Sequence, residues 1–168
     1  LEYGEDLPAS ADAAGANLLG QLHRHYDPSG LVTNERFDFQ GNLEAVTRRL
    51  ASAVHAAVID WSDGFPGSQL ETETFKRFVE HDALGRMKRL FNWHRDAGRV
   101  MIYEPHYYQR GLLVSEDVFT TAERSDAGER DGERRVTAIA DLRYNARGQR
   151  EHVVHGNGTI TRHHYDPV

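Results

Sequence analysis

Polar and apolar residues alternate in short runs along this chain, and most runs end at a cluster of turn residues. Thr159, Thr161, His163 and Tyr165 alternate with Ile160, Arg162 and His164, the period of a strand whose two faces meet different surroundings. The same reading predicts strands over 21–26, 31–39, 71–80, 86–93, 99–105, 112–120 and 135–144. Residues 43–59 are ambiguous. Leu43, Val46, Leu50, Ala53 and Ala57 recur at helical spacing and Ala is abundant. The flanking strands favour a strand from Leu43 to about Leu50 and leave 46–58 open between helix and strand. Residues 1–20 read as a connecting segment. Within it, 13–19 is long enough for one or two helical turns, with Asp12 as cap and Gly20 as stop. The breaker-dense stretch 60–67 and the charged tract 122–135 read as loops, the second exposed and mobile.

The turn clusters share a form. Tyr144-Asn145-Ala146-Arg147-Gly148 places Asn at the first corner of a tight turn and Gly three residues later, the chemistry of a type I turn closed by a positive-φ residue. Asn157-Gly158 is a two-residue hairpin signal and predicts a type I′ turn, with both residues at positive φ. Tyr26-Asp27-Pro28-Ser29-Gly30 repeats the first form. Eleven residues later comes Phe37-Asp38-Phe39-Gln40-Gly41. His81-Asp82-Ala83-Leu84-Gly85 is a third copy, with His for the aromatic. Thirteen residues on lies the degenerate His94-Arg95-Asp96-Ala97-Gly98, and thirteen more bring Tyr107-Tyr108-Gln109-Arg110-Gly111. Tyr165-Asp166-Pro167 opens another. These intervals suit one strand plus one tight turn per copy. Each Asp at a corner has a simple task, accepting a hydrogen bond from a backbone N–H of its own turn.

The Tyr-Asp-x-x-Gly pattern resembles the YD repeats of the rearrangement-hot-spot (Rhs) family. The stretch YNARGQREHVVHGNGTITRHHYDP is similar to the repeat region of the B components of bacterial insecticidal toxin complexes, which there follows a virulence-plasmid-type domain and a β-propeller. The resemblance extends through GQLHRHYDPSGLVTNERFDFQGNL and HDALGR and covers most of the chain. It is weakest over 51–72 and 119–135, which look like insertions. His81 and His94 depart from the aromatic-Asp form. The resemblance implies an all-β fold of antiparallel hairpin repeats, forming part of a spiral β-sheet shell over 21–168, with at most one or two short helices. It implies a hollow in which a toxic polypeptide is held. The implied partners are the rest of the shell, its cargo and other toxin-complex subunits, in a secreted setting. Related repeats also resemble those of wall-associated and adhesion proteins, so a carbohydrate-binding cell-surface module is the alternative.

Composition adds limits. At 168 residues the chain is of single-domain size, yet Tyr165-Asp166-Pro167-Val168 interrupts a repeat, so it reads as a piece of a longer protein. A net charge of −6 argues against a nucleic-acid surface, which would show a basic stripe. Mean hydropathy of −0.66 suits a sheet wetted on one or both faces. No apolar run is long enough for a membrane span, and no secretory signal is seen. Without Cys there are no disulfides, thiolate metal sites or thiol nucleophiles. His23 with His25, His152 with His155, and His163 with His164 invite a metal reading, but no His-Glu-x-x-His spacing supports it. No Gly-x-Ser-x-Gly elbow occurs, and single glycines at turns do not form a phosphate loop. The reading is of a structural protein, with no enzyme activity and no cofactor expected. Its key residues are those of the corners.

Overall fold

A computed structural model describes residues 1–8, 12–52, 59–61, 69–96, 98–120 and 134–166. Eleven strands form one antiparallel sheet, and their order across the sheet is their order in the chain. They are β1 (Glu2–Tyr3), β2 (Leu22–Asp27), β3 (Gly30–Phe37), β4 (Leu43–Leu50), β5 (Phe75–His81) and β6 (Met87–His94). Then come β7 (Met101–Tyr107), β8 (Leu113–Thr120), β9 (Arg134–Tyr144), β10 (Arg150–His155) and β11 (Ile160–Arg162). The all-β antiparallel reading holds. Each hairpin hands the chain on to the next neighbour, so contacts are local along the whole sheet.

The ambiguous segment resolves as strand for its first half. Val46, Thr47 and Arg48 pair with β3 on one side and β5 on the other, and two ladders outweigh the helical propensity of the run. Of its second half, 53–58 lies outside the described residues, as do most of the predicted loops at 60–67 and 122–135. The helix expected at 13–19 is absent. The Asp12 carboxylate does cap the Gly15 N–H (2.9 Å), but Asn17 turns into the left-handed region at φ 53 and ends the structure. Asn17 and Ala16 are instead tied to the end of β3, through bonds to the Phe37 carbonyl and from the Phe37 amide. Conversely, β1 and a 3₁₀ turn at Gly4–Asp6 occupy a segment expected to be a bare connection. The strand expected at 71–80 begins only at Phe75, after a single bridge between Ala51 and Leu70. Strand β11 ends at Arg162, and the His163 amide still reaches the Glu151 carbonyl (3.0 Å).

Packing is that of a single layer. The register sets Ala45, Phe78, Phe91, Ile102 and Phe119 in one row on one face. A second row, Val79, Leu90, Tyr103, Val118 and Val136, crosses the opposite face. Val100 and Ile102 are the most enclosed, at 2% and 3% exposed, with Phe119 and Phe91 against them. The accessible surface is 11249 Å², against about 8,400 Å² for a compact 19.1 kDa protein by size scaling. Among the described residues no second layer covers the sheet, so its register must come from something other than a core. That places the burden on the turns.

Gly148 tests this directly. It sits at φ 76, and no atom lies within 4 Å of where a Cβ would be, so only backbone conformation resists a side chain there. Gly148→Val is expected to cost on the order of 1–2 kcal/mol in denaturant unfolding, and Gly148→Asn distinctly less. An unchanged midpoint for the valine variant contradicts the assignment.

Candidate functional site: a rim of stacked corners and a buried aspartate

Four corners are built alike. In each, the first residue's N–H bonds the carbonyl four residues on, and the N–H of a glycine three residues on bonds back. The pairs are Asp38 with Asn42 and Gly41, Asp82 with Arg86 and Gly85, Tyr108 with Leu112 and Gly111, and Asn145 with Gln149 and Gly148. All four glycines take φ between 72 and 85. Where the first residue is Asp or Asn, its Oδ1 also accepts two amides. Asp38 takes those of Gln40 and Asn42, both at 2.8 Å. Asp82 takes Leu84 at 2.9 Å and Arg86 at 3.0 Å, and Asn145 takes Arg147 and Gln149 at 3.0 Å.

A fifth residue escaped the sequence reading. The position after the glycine is Asn42, Arg86 or Gln149 where the corner opens with Asp or Asn, and its side chain bonds the corner side chain. Where the corner opens with Tyr108, that position is Leu112. A polar-with-polar, apolar-with-apolar match at spacing four was the available signal. In Asp38 the Asn42 amide, and in Asp82 the Arg86 guanidinium, hold the carboxyl below its usual range, so both act as ionised acceptors.

Three other expected corners differ. The Asn157-Gly158 turn is not type I′: Gly158 has φ 84, but Asn157 is not at positive φ. Gly158 N–H bonds the His155 carbonyl and His155 N–H bonds that of Thr159, the same corner one step earlier. Gly156 is needed because a Cβ there would overlap the Thr137 carbonyl, and its amide bonds the Ala138 carbonyl (3.0 Å). At Asp27, Pro28 and Ser29 alone span the gap, since Asp27 and Gly30 face each other in the ladder. Gly30 stands at φ 135, hard against the Arg49 carbonyl, and Asp27 also pairs with Arg48 at 3.0 Å. At Gly98 the turn keeps its bond to the Arg95 carbonyl (3.1 Å), but the glycine is not left-handed. Arg95 offers no acceptor and its guanidinium goes to Glu73 instead. Tyr165 bonds the Arg150 carbonyl through its hydroxyl (2.7 Å) and Asp166 follows outside any strand, while Pro167 lies outside the described residues.

A meander alternates ends, so the corners after β3, β5, β7 and β9 share one rim of the sheet. Neighbours on that rim touch. Gln40 Nε2 donates to the Ala83 carbonyl (3.3 Å), and the Arg86 guanidinium lies over the Tyr107 ring at 4.8 Å. Tyr107 and His81 thus stand between neighbouring corners. Phe37 is buried, His81 stands beside Asp38, and Tyr107 packs under Arg86; Tyr144 ends β9. Tyr26 packs on Trp61, ring centroids 5.4 Å apart.

Asp117 was not singled out from the sequence. It is 2% exposed, inside β8, and accepts hydrogen bonds from Arg135 (2.7 Å), Thr137 (2.9 Å) and His106 (3.1 Å). The Arg135 guanidinium, with help from Thr137 and His106, holds its carboxyl below the usual range against the effect of burial. This ties β7, β8 and β9 together. An Asp inside an apolar β-branched run was the sign. The histidines are occupied separately: His23 with the Asn34 carbonyl, His94 with that of Asn92, and His155 with Thr161. Among the described residues no three His, Asp or Glu converge to hold a metal ion. No described helix is long and apolar enough to cross a membrane.

No protein-family model matches the chain, and neither does any curated protein. Solved structures do. A Photorhabdus luminescens Tc holotoxin pore with a TccC3 mutation is similar over 93% of this chain and 7% of its own, at 22% identity and a TM-score of 0.75. TcdB2-TccC3 without its hypervariable C-terminal region is similar over 93% and 7%, at 23% identity and 0.73. TcdB2-TccC3-Cdc42 is similar over 90% and 6%, at 23% identity and 0.71. The likeness is one of fold, and the chain spans about 7% of the length of the proteins it matches.

Because Asp117 is more acidic folded than unfolded, its contribution is present above the unfolded value of about 3.9 and fades as pH falls through the folded one. Asp38 and Asp82 act with the same sign. Urea midpoints measured from pH 6 to 3 should therefore drop, less steeply in Asp117→Asn. Asp117→Ala should cost about 1–3 kcal/mol at pH 7, by losing the hydrogen bonds to its carboxylate, since the Arg135 side chain it releases is itself open to water.

Proposed function

We propose that this chain is a length of wall in an Rhs/YD-repeat shell that encloses a toxic polypeptide within a secreted toxin complex. The observation that carries the reading is the single-layer meander, whose strands follow chain order and whose corners on one rim repeat one design. Its fold likeness to toxin-complex structures supports the same reading. A wall needs no reactive group. It needs a sheet that extends without a core, and local corners favour that because the strands they join take their register from the turn.

The rows of apolar side chains on both faces are interrupted by charged pairs such as Arg89 with Glu104 and Glu80. A lining of that mixed kind excludes solvent without offering one continuous greasy surface to an unfolded chain. The partners of this wall are the remainder of the shell, the enclosed polypeptide and other subunits of the complex. Its setting is extracellular.

Protease protection tests this. With the intact complex, the enclosed polypeptide should survive a protease dose that degrades it within minutes when free, and survive until the shell is denatured. Cleavage at the free rate while the shell stays whole would remove the proposal.

A further inference from the structure

A concavity of about 380 Å³ opens on β4, β5 and β6 beside the rim, within the size range of about 300–1,000 Å³ usual for ligand sites. Val46, Val79 and Met87 give it an apolar floor, and Arg77 and His81 stand over it. Among the described residues, neither the Arg77 guanidinium nor His81 Nδ1 has a hydrogen-bond partner. The Arg77 side chain is half-buried, directly opposite Val46, and makes no hydrogen bond or ion pair among the described residues. His81 Nδ1 is sealed from solvent and bonds nothing, since the Asp38 carboxylate stands 3.9 Å away, too far for a hydrogen bond. Glu44 also lines the cavity, but its carboxylate is held by Arg36 at 2.7 Å and does not compensate Arg77.

We infer that this concavity is a binding site for a carboxylate carried on an apolar body, with Arg77 as the anion-holding residue. A guanidinium presents a planar fork that a carboxylate fills with two parallel bonds. The apolar floor takes the aliphatic part, and His81 borders the polar end. The carboxylate comes either from a small aliphatic acid or from an acidic side chain of a polypeptide, including one enclosed by the shell. This site stands independently of the shell reading.

Saturation-transfer NMR on the full-length protein tests it, with hexanoate, its neutral isostere hexanamide, and a short Leu-Glu peptide as probes. Hexanoate or the peptide should receive saturation, and whichever does identifies the source. Hexanamide should receive at least several-fold less. Arg77→Gln should abolish the signal and Arg77→Lys should reduce it, with the amide comparison on the unaltered protein covering the case of a variant that misfolds. No transfer to either carboxylate, equal transfer to hexanamide, or an undiminished signal in folded Arg77→Gln overturns the inference. Cargo protection is unaffected by any of these results, so the two proposals fail separately.

Discussion

Everything in this sheet depends on how a corner side chain satisfies its own backbone. An Asp or Asn at the first position accepts the amides two and four residues on, while the main chain closes the loop around a left-handed glycine. Each such bond contributes about 0.5–1.5 kcal/mol net, and those to a charged carboxylate more. Their larger effect is on register. A slip of one residue would turn every side chain to the wrong face, and a one-layer sheet has no opposing layer to penalise it. Here the penalty is local, paid in unsatisfied corner amides.

Charge pairs carry the cross-strand part of the work. Arg86 holds Asp82 and stacks on Tyr107, joining two corners with one side chain. Arg48 reaches Asp27 across two strands, and Asp117 collects donors from both neighbours. Most exposed ion pairs contribute little. The buried Asp117 differs because removing any partner leaves charge in a dry place.

The corners were legible in the sequence because they are local: aromatic, acid and glycine at fixed spacing encode a turn that needs no distant partner. Asp38, Asp82, Asn145 and the glycines Gly41, Gly85, Gly111 and Gly148 all stand where that spacing put them. What escaped was set by distant contacts. Asn157-Gly158 has the dipeptide of a type I′ turn, but the corner starts one residue earlier, at His155, where Gly156 lies against Thr137 of β9. Residues 13–19 have the composition of a short helix, and bonds to Phe37 took them elsewhere. Arg77 has nothing local to mark it, and for Asp117 the only sign was an acid within an apolar run. Their roles arise from register between strands, which one chain's pattern does not display. The family resemblance, resting on the corners, pointed to a fold that solved toxin-complex structures share.

The most direct test of the corner's role is amide hydrogen exchange at Leu84 and Arg86. Both amides lie on an outer turn, with the Asp82 carboxylate as their acceptor. The account predicts that they exchange as slowly as the adjoining strand amides, and that Asp82→Ala brings them to the rate of an open loop. Exchange at the free-peptide rate in the unaltered protein, or slow exchange that survives the loss of Asp82, would contradict it.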